Sequence, residues 1–291
     1  MENEVSDFSN MFSILPMTQR FVLKPGETYE GSVTVVNPAD AKEDFEYKVT
    51  VTPYSVVGSE YAADLATKTN LSKMVDWITI EEPTGKLKPN EARDVNFKIA
   101  VPEDAAGGGQ YATIAVSSAA QGIEGNGVTV NNIFEMASII YAQVEGEINH
   151  EGEIKENLIP GYTATAPIKT SIQLTNWGNV HEDATIVTKA TNMFTGEVIW
   201  PREGESGKTN EIVMPGTDHY ISEEIDNLPL LGMVHVEQTV YYLGMSSVEA
   251  VNVLICPIWF LLLVIVTIGA IIATIVRMVI KHRRKKAEIT M

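Results

Sequence analysis

The sequence predicts an all-β chain that closes with one membrane-spanning helix, and three observations carry that prediction. From Phe21 to Glu147, and again from Ala166 to Leu243, short runs rich in Val, Ile, Thr, Tyr and Phe are broken by Gly, Pro, Asn and Asp. That is the texture of antiparallel strands and turns. Val253 to Val276 then runs without a single charge, longer than the ~20 apolar residues a helix needs to cross a hydrocarbon core. Lys281, Arg283, Arg284, Lys285 and Lys286 follow at once, and basic residues so placed favour the cytoplasmic face.

Residues 1–20 read as an N-terminal extension. Met1 to Asp7 is acidic and has no hydrophobic core, so it is not a signal peptide. Either a leader is absent from the sequence, or the chain is inserted tail-first with its β part in the cytoplasm. Residues 21–148 read as a first β-sandwich domain. Arg20–Leu23, Tyr29–Asn37, Phe45–Val51, Trp77–Ile80, Val95–Ile99, Tyr111–Val116 and Ile133–Val144 give about seven strands. In Phe45–Val51 four apolar side chains share one face, while Glu46, Lys48 and Thr50 share the other. Leu23-Lys24-Pro25-Gly26-Glu27 and Leu87-Lys88-Pro89-Asn90-Glu91 each precede a strand. In both, Pro sets one turn dihedral and the Gly or Asn after it tolerates positive φ. Tyr54 to Met74 does not alternate and reads as an excursion containing a helical turn.

Residues 149–248 read as a second domain, with the boundary inside the acidic stretch His150–Glu156. Strands are expected at Ala166–Asn176, Ala184–Thr188, Glu197–Trp200, Glu211–Met214, His219–Ile225 and Met233–Leu243, with Asn192–Gly196 as a hairpin tip. About 100 residues is the size of an immunoglobulin-like sandwich, so both domains are expected to be Ig-like. Tyr241-Tyr242 lies close in sequence to the span and is expected to seat the domain at the membrane interface. The transmembrane helix is placed at 252–280, with Pro257 near its outer end. Thr267, Gly269 and Ala270 form a small-residue patch that would allow oligomerisation through the helix. Residues 281–291 form the basic cytoplasmic tail.

Charge follows the same division. The chain carries 21 Lys+Arg against 38 Asp+Glu, a net of -17. Six of the basic residues lie between Arg277 and Lys286, which leaves 15 basic and 37 acidic groups, a net of -22, in residues 1–276. So acidic a body repels nucleic acid, and no nucleic-acid partner is expected. The one cysteine, Cys256, falls in the predicted span, so the displayed part has no disulfide of its own. A bacterial surface fits that better than an animal extracellular space.

Catalytic signatures are missing. There is no Gly-x-Ser-x-Gly elbow and no His-Glu-x-x-His helix. His181-Glu182-Asp183 is the tightest titratable cluster and reads as solvated turn residues. Gly107-Gly108-Gly109 leads into a strand rather than a helix, so it reads as a tight bend where backbones pass closely and not as a phosphate cradle. No Asp-x-Asp-x-Asp-Gly calcium loop is present. The expectation is a non-enzymatic protein with no catalytic, cofactor-binding or metal residues and no cofactor. Trp77 reads as core. Trp177, at the turn Trp177-Gly178-Asn179, is the candidate partner contact, since an exposed aromatic ring can stack on a sugar or anchor a protein.

Leu23-Lys24-Pro25-Gly26-Glu27, the strand ending Val36-Asn37-Pro38, Gly107-Gly108-Gly109-Gln110-Tyr111-Ala112-Thr113-Ile114 and a second Ig-like unit before a basic-tailed anchor together resemble a bacterial family. These are the two-domain surface proteins encoded beside WxL proteins, the WxL-interacting family. The resemblance implies a membrane-anchored cell-surface binding or scaffold protein, with a cell-wall polymer (peptidoglycan) or a WxL surface protein as partner. It places no ligand-contacting residue. Val33–Pro38 followed by Phe45–Val49 is also similar to the opening strands of major-sperm-protein domains, which implies a cytoplasmic tail-anchored tether. The acidity and the second β unit depart from that pattern. A structural subunit of a larger membrane assembly is the third reading.

Overall fold

The computed structural model describes residues 12–58, 60–118, 121–125 and 128–289, with side chains described outside 121–132 and 281–289. The acidic start Met1–Asp7 lies outside these residues. The chain is mostly β-structure with one long C-terminal helix. It separates into two compact units: Met1–Glu153 with Thr175–Asp183 and Ile212–Tyr220, and Ile154–Leu174 with Ala184–Glu211 and Ile221–Met291. Two late segments of the chain therefore belong to the first unit.

The first unit opens with β1 (Ser13–Leu15), β2 (Thr18–Leu23), β3 (Thr28–Val36) and β4 (Phe45–Pro53). It continues with β5 (Ser55–Val57), β6 (Ala62–Asp64), β7 (Ile78–Ile80), β8 (Thr84–Leu87) and β9 (Ala92–Ala100). After these come β10 (Gly108–Ser118), β11 (Gln121–Gly125), β12 (Val128–Asn132) and β13 (Glu135–Val144). One sheet runs β1-β3-β9-β7 and a second β2-β13-β10-β4-β8. Strand β2 lies parallel to β13, from Thr18 opposite Ile139 to Leu23 opposite Val144. The chain from Ser13 onward is thus already in strands, where the sequence reads as an extension.

Alternation explains why the two sheets face each other. Val33 and Val35 of β3 and Val95, Phe97 and Ile99 of β9 point inward. They share one core with Tyr47 and Val49 of β4, Ile114 and Val116 of β10 and Ile140 of β13. Polar residues between them face out, as a period of two requires. Gly31 sits opposite Phe97 in the β3–β9 register. A Cβ on Gly31 would fall 2.3 Å from Phe97 Cζ, so the ring occupies the space a side chain would need. The excursion after Tyr54 is a β5–β6 hairpin and a 3-10 turn, Lys73–Asp76, whose Met74 is fully buried.

The second unit draws on β14 (Gly152–Leu158), β15 (Tyr162–Thr163), β16 (Ile168–Lys169), β17 (Ser171–Asn176), β18 (Glu182–Asn192) and β19 (Val198–Trp200). β20 (Lys208–Val213) and β21 (Thr217–Ile221) cross the division, with Ile212–Tyr220 in the first unit, and β22 (Glu224–Ile225), β23 (Gly232–Tyr242) and β24 (Met245–Ile255) lie in the second. Its main sheet includes the order β15-β24-β23-β18-β19. Ile168, Ala190, Ile225, Val234, Val236, Val253 and Ile255 belong to its core.

Two residues separate the end of β24 from helix α1 (Ile258–Ile289). Its stretch Ile258–Ile280 has 23 residues at a mean hydropathy of 2.8, long and apolar enough to cross a membrane. Two sequence expectations change here. Positions 252–257, assigned above to the span, lie in or just after β24, where Val253 and Ile255 fill the core. Apolar content alone cannot separate the end of a buried strand from the start of a span. Tyr241-Tyr242 also lies away from the helix. Tyr242 pairs with Met245 at the hairpin turn, while Gly232 pairs with Ile255 at the helix end. Ten residues of extended strand separate the two ends, about 33 Å.

Candidate functional site

The start of β10 organises a cleft on the surface of the first unit. Gln110 is buried, and its side-chain amide donates to the Asn70 carbonyl at 3.0 Å while its carbonyl oxygen accepts from the Met74 amide at 3.2 Å. The Tyr111 amide donates to the Leu71 carbonyl at 2.7 Å. Inside the loop, the Ser72 hydroxyl accepts from the Thr69 amide at 2.8 Å and donates to the Thr69 carbonyl at 3.2 Å. These bonds fix residues 69–76 beside the strand. The 3-10 turn closes on the Trp77 amide, which donates to the Met74 carbonyl at 2.9 Å.

A cleft of about 390 Å³ opens between that loop, the Pro102–Ala106 turn and the glycine run. Trp77, Asn70, Lys73, Asp104 and Asn179 line it with the backbone of Gly107, Gly108 and Gly109. The glycines are there for steric reasons. A Cβ on Gly107 would come within 2.6 Å of the Glu147 amide nitrogen and 2.8 Å of the Gly146 backbone. The close passage expected of this run is what the structure contains. Gly108 adopts φ +131°, a region L side chains avoid. Trp77 is only partly buried and packs against the core, so one part of the ring stabilises the fold while another borders the cleft.

The turn after β17 supplies the fourth wall. Asn176 is buried and donates to the carbonyls of Val180 at 2.8 Å and Val213 at 2.9 Å. Its side-chain oxygen accepts from the Gly178 amide at 2.8 Å, the local bonding pattern by which Asn makes a tight turn. The Asn179 carbonyl accepts from the Gly109 amide at 2.7 Å, and its side chain donates to the Glu147 carbonyl at 2.9 Å. Trp177, two positions earlier, is 53% exposed. The predicted partner contact therefore shares a turn with a residue lining the cleft. Trp77, read from sequence as core alone, gains a second role, and the glycine run was the signal that could have found it.

Next to this turn lies an aromatic cluster. Tyr141 meets the rings of Tyr54, Tyr111 and His181 at centroid distances of 5.8, 6.0 and 5.2 Å. Tyr111 Oη accepts from the His181 amide at 2.8 Å. Burial drives the His181 imidazole down to about 4, assisted by the nearby Arg20 charge and opposed by Asp183. Arg20 clamps Asp183 through two bonds of 2.7 and 2.5 Å, which holds the Asp183 carboxyl below the usual range. His181 and Asp183 are thus structural partners rather than the solvated turn residues expected above. Desolvation makes His181 a poor proton carrier near neutral pH.

Among the described residues no group of three or more His, Cys, Asp or Glu side chains is placed to hold a metal ion. The basic residues Lys281, Arg283, Arg284, Lys285 and Lys286 fall in the last turns of α1, with their side chains outside the described set.

No known family profile matches the chain, and no curated protein matches it. Among solved structures it is similar to the class 5 fimbriae chaperone CfaA, with 13% identity, 85% of this chain and 100% of that one covered and a TM-score of 0.38. The Acinetobacter baumannii CsuC–CsuE chaperone–tip complex matches at 11% identity over 83% and 98%, with a TM-score of 0.39. The seventh PapD-like domain of human CEP192 matches at 14% over 47% and 87%, with a TM-score of 0.31. Likenesses this distant say nothing of function.

Proposed function

We propose that the protein is a membrane-anchored, non-catalytic binding protein of the bacterial cell surface, of the kind the WxL-interacting resemblance implies. Two tandem Ig-like units would be displayed outside, and the basic tail would stay in the cytoplasm. The observation that carries this reading is the 23-residue apolar stretch Ile258–Ile280 leading directly out of a strand. A helix of that length and composition has the bilayer as its natural solvent. The basic residues at its far end favour an inward tail, which would put the acidic β part of the chain, residues 12–255, outside. The parallel pairing of β2 with β13 across the edge of a two-sheet core supports the Ig-like description of the first unit.

The binding surface is the cleft bordered by Trp77 and the glycine run, with Trp177 on the adjoining turn. An aromatic edge, a backbone floor, side-chain amides and one charge of each sign suit a polar polymer such as a cell-wall glycan peptide. The basic tail would be held close to an anionic inner leaflet.

Two assays test the reading. Protease applied to intact cells should remove both β units while a tail epitope survives; full protection, with permeabilised cells as the control, would mean a cytoplasmic tether instead. Purified full-length protein should sediment with insoluble cell wall, and Trp77→Ala with Trp177→Ala should lower the bound fraction at least tenfold. Unchanged sedimentation of the double variant would remove the cleft from the proposal.

A further inference from the structure

The second unit carries its most exposed apolar side chains, Leu230 and Phe194, at the end from which the helix departs. Three ladder ends meet there: Gly232 of β23 pairs with Ile255, Asn192 of β18 pairs with Val234, and Tyr162 of β15 pairs with Leu254. Two loops cap these strands. The turn after β18 presents Met193 and Phe194, the latter 76% exposed. The loop before β23 presents Leu230, 88% exposed, and Leu231. The loops touch, for a Cβ on Gly232 would lie 3.6 Å from Pro229 Cγ and 3.7 Å from the Phe194 ring. The Met193 amide also donates to the Met233 carbonyl at 3.0 Å. Tyr162 completes the rim. Its hydroxyl donates to the Cys256 carbonyl at 2.8 Å, at the last residues before the helix.

Isolated apolar side chains on a surface need no explanation, but a contiguous group does. Phe194 and Leu230 sit at the tips of two separate loops, where turn chemistry asks for polar residues. Chain continuity names what covers them. Ile255 is three residues from Ile258, so the ladder end at Gly232 lies within about 15 Å of the point where the apolar helix begins. Anything at that level beside a membrane-spanning helix is in the headgroup region.

We infer that this rim is a lipid contact: Phe194, Leu230 and Leu231 enter the outer headgroup and upper acyl layer beside the helix, so the second unit is held at the bilayer by its loops as well as by the anchor. The bilayer edge suits side chains that are apolar with a polar tip, as Tyr162 is. The inference rests on the membrane-anchor reading, and the experiment separates the two.

Nitroxide labels are placed at Phe194→Cys, Leu230→Cys, Tyr241→Cys and Ile265→Cys in the full chain with Cys256→Ser, reconstituted in phosphatidylglycerol–phosphatidylcholine nanodiscs. Collision rates with oxygen and with a water-soluble nickel complex give depth. The expected result is an oxygen-to-nickel ratio at 194 and 230 raised at least threefold over 241, with 265 deepest. Aqueous ratios at 194 and 230 while 265 reads as lipid would overturn the rim and leave the anchor standing. An aqueous ratio at 265 would overturn the anchor and the rim together. Labels at 194 and 230 shielded from both reagents would mean a protein covers the rim, and that too overturns the inference.

Discussion

Lowering the pH should loosen the aromatic cluster through one residue, His181. Its imidazole is driven from 6.5 to about 4, first by burial and then by Arg20. Between those two values the unfolded chain takes up a proton that the folded chain refuses, so stability rises with pH across that window. The contribution is complete above pH 6.5, falls as the pH drops, and is gone below about 4. A shift of that size corresponds to about 3 kcal/mol, and solvent screening of a part-buried ring reduces this to roughly 2 kcal/mol. Arg20 also holds Asp183 low, which adds loss of the same sign at still lower pH. The direct assay is an NMR titration of labelled histidines in full-length protein in micelles. At pH 5 the His181 ring should be only about one-tenth protonated, where an ordinary imidazole is almost fully charged. Amide exchange at Tyr111 and Ile114 should accelerate over the same window. A His181 midpoint near 6.5, with exchange flat between pH 7 and 4.5, would refute the burial argument.

Substitutions at four positions test other links. Gly107→Val puts carbon atoms into the Gly146–Glu147 backbone and should destabilise the first unit by about 1–3 kcal/mol or more, read as a fall in denaturation midpoint, with the cleft lost. Phe97→Ala should cost about 3–5 kcal/mol; Gly31→Ala should destabilise on its own but less so in a Phe97→Leu background, a coupling that a double-mutant cycle measures. Val253→Asp should unfold the second unit at a cost of about 3 kcal/mol or more, because it buries a lone carboxylate. If residue 253 were part of the span instead, amide exchange in the β23–β24 ladder would be unaffected.

Much of the fold is legible in the chain, element by element. Strands β3, β4 and β9 alternate so clearly that their positions could be read to within three residues, and β10, buried along most of its length, could be read as closely from its apolar run. The failures have specific causes. Strand β14 was taken for a linker because Glu153, Lys155, Glu156 and Asn157 give it a polar surface, although its ladder needs only backbone groups. Strand β24 was hidden because Val251, Val253 and Ile255 merge with the apolar helix that follows. The missed strand also misplaced Tyr241, since nearness in sequence was mistaken for nearness in space. The site was half legible. Trp177 and the glycine run stood out, but the cleft depends on Gln110 pinning residues 69–76, and a lone Gln in a strand gives no sign of the loop it will hold. His181 looked like a turn residue because its burial comes from Tyr111 and Tyr141, seventy and forty residues away in the chain.

The short passage from β24 into α1 has a mechanical consequence. Only Cys256 and Pro257 separate strand from helix, so no slack linker lies between the helix and the fold. Tension travelling up the helix enters the fold at the C-terminal end of β24. That strand is bonded to β23 along its whole length and to β15 at the same end. A load directed along the strand must shear those hydrogen bonds together instead of peeling them one at a time. Resistance to such a load is a rate, set by the unfolding barrier rather than by equilibrium stability. A pull on the helix would therefore load the β23–β24 ladder first.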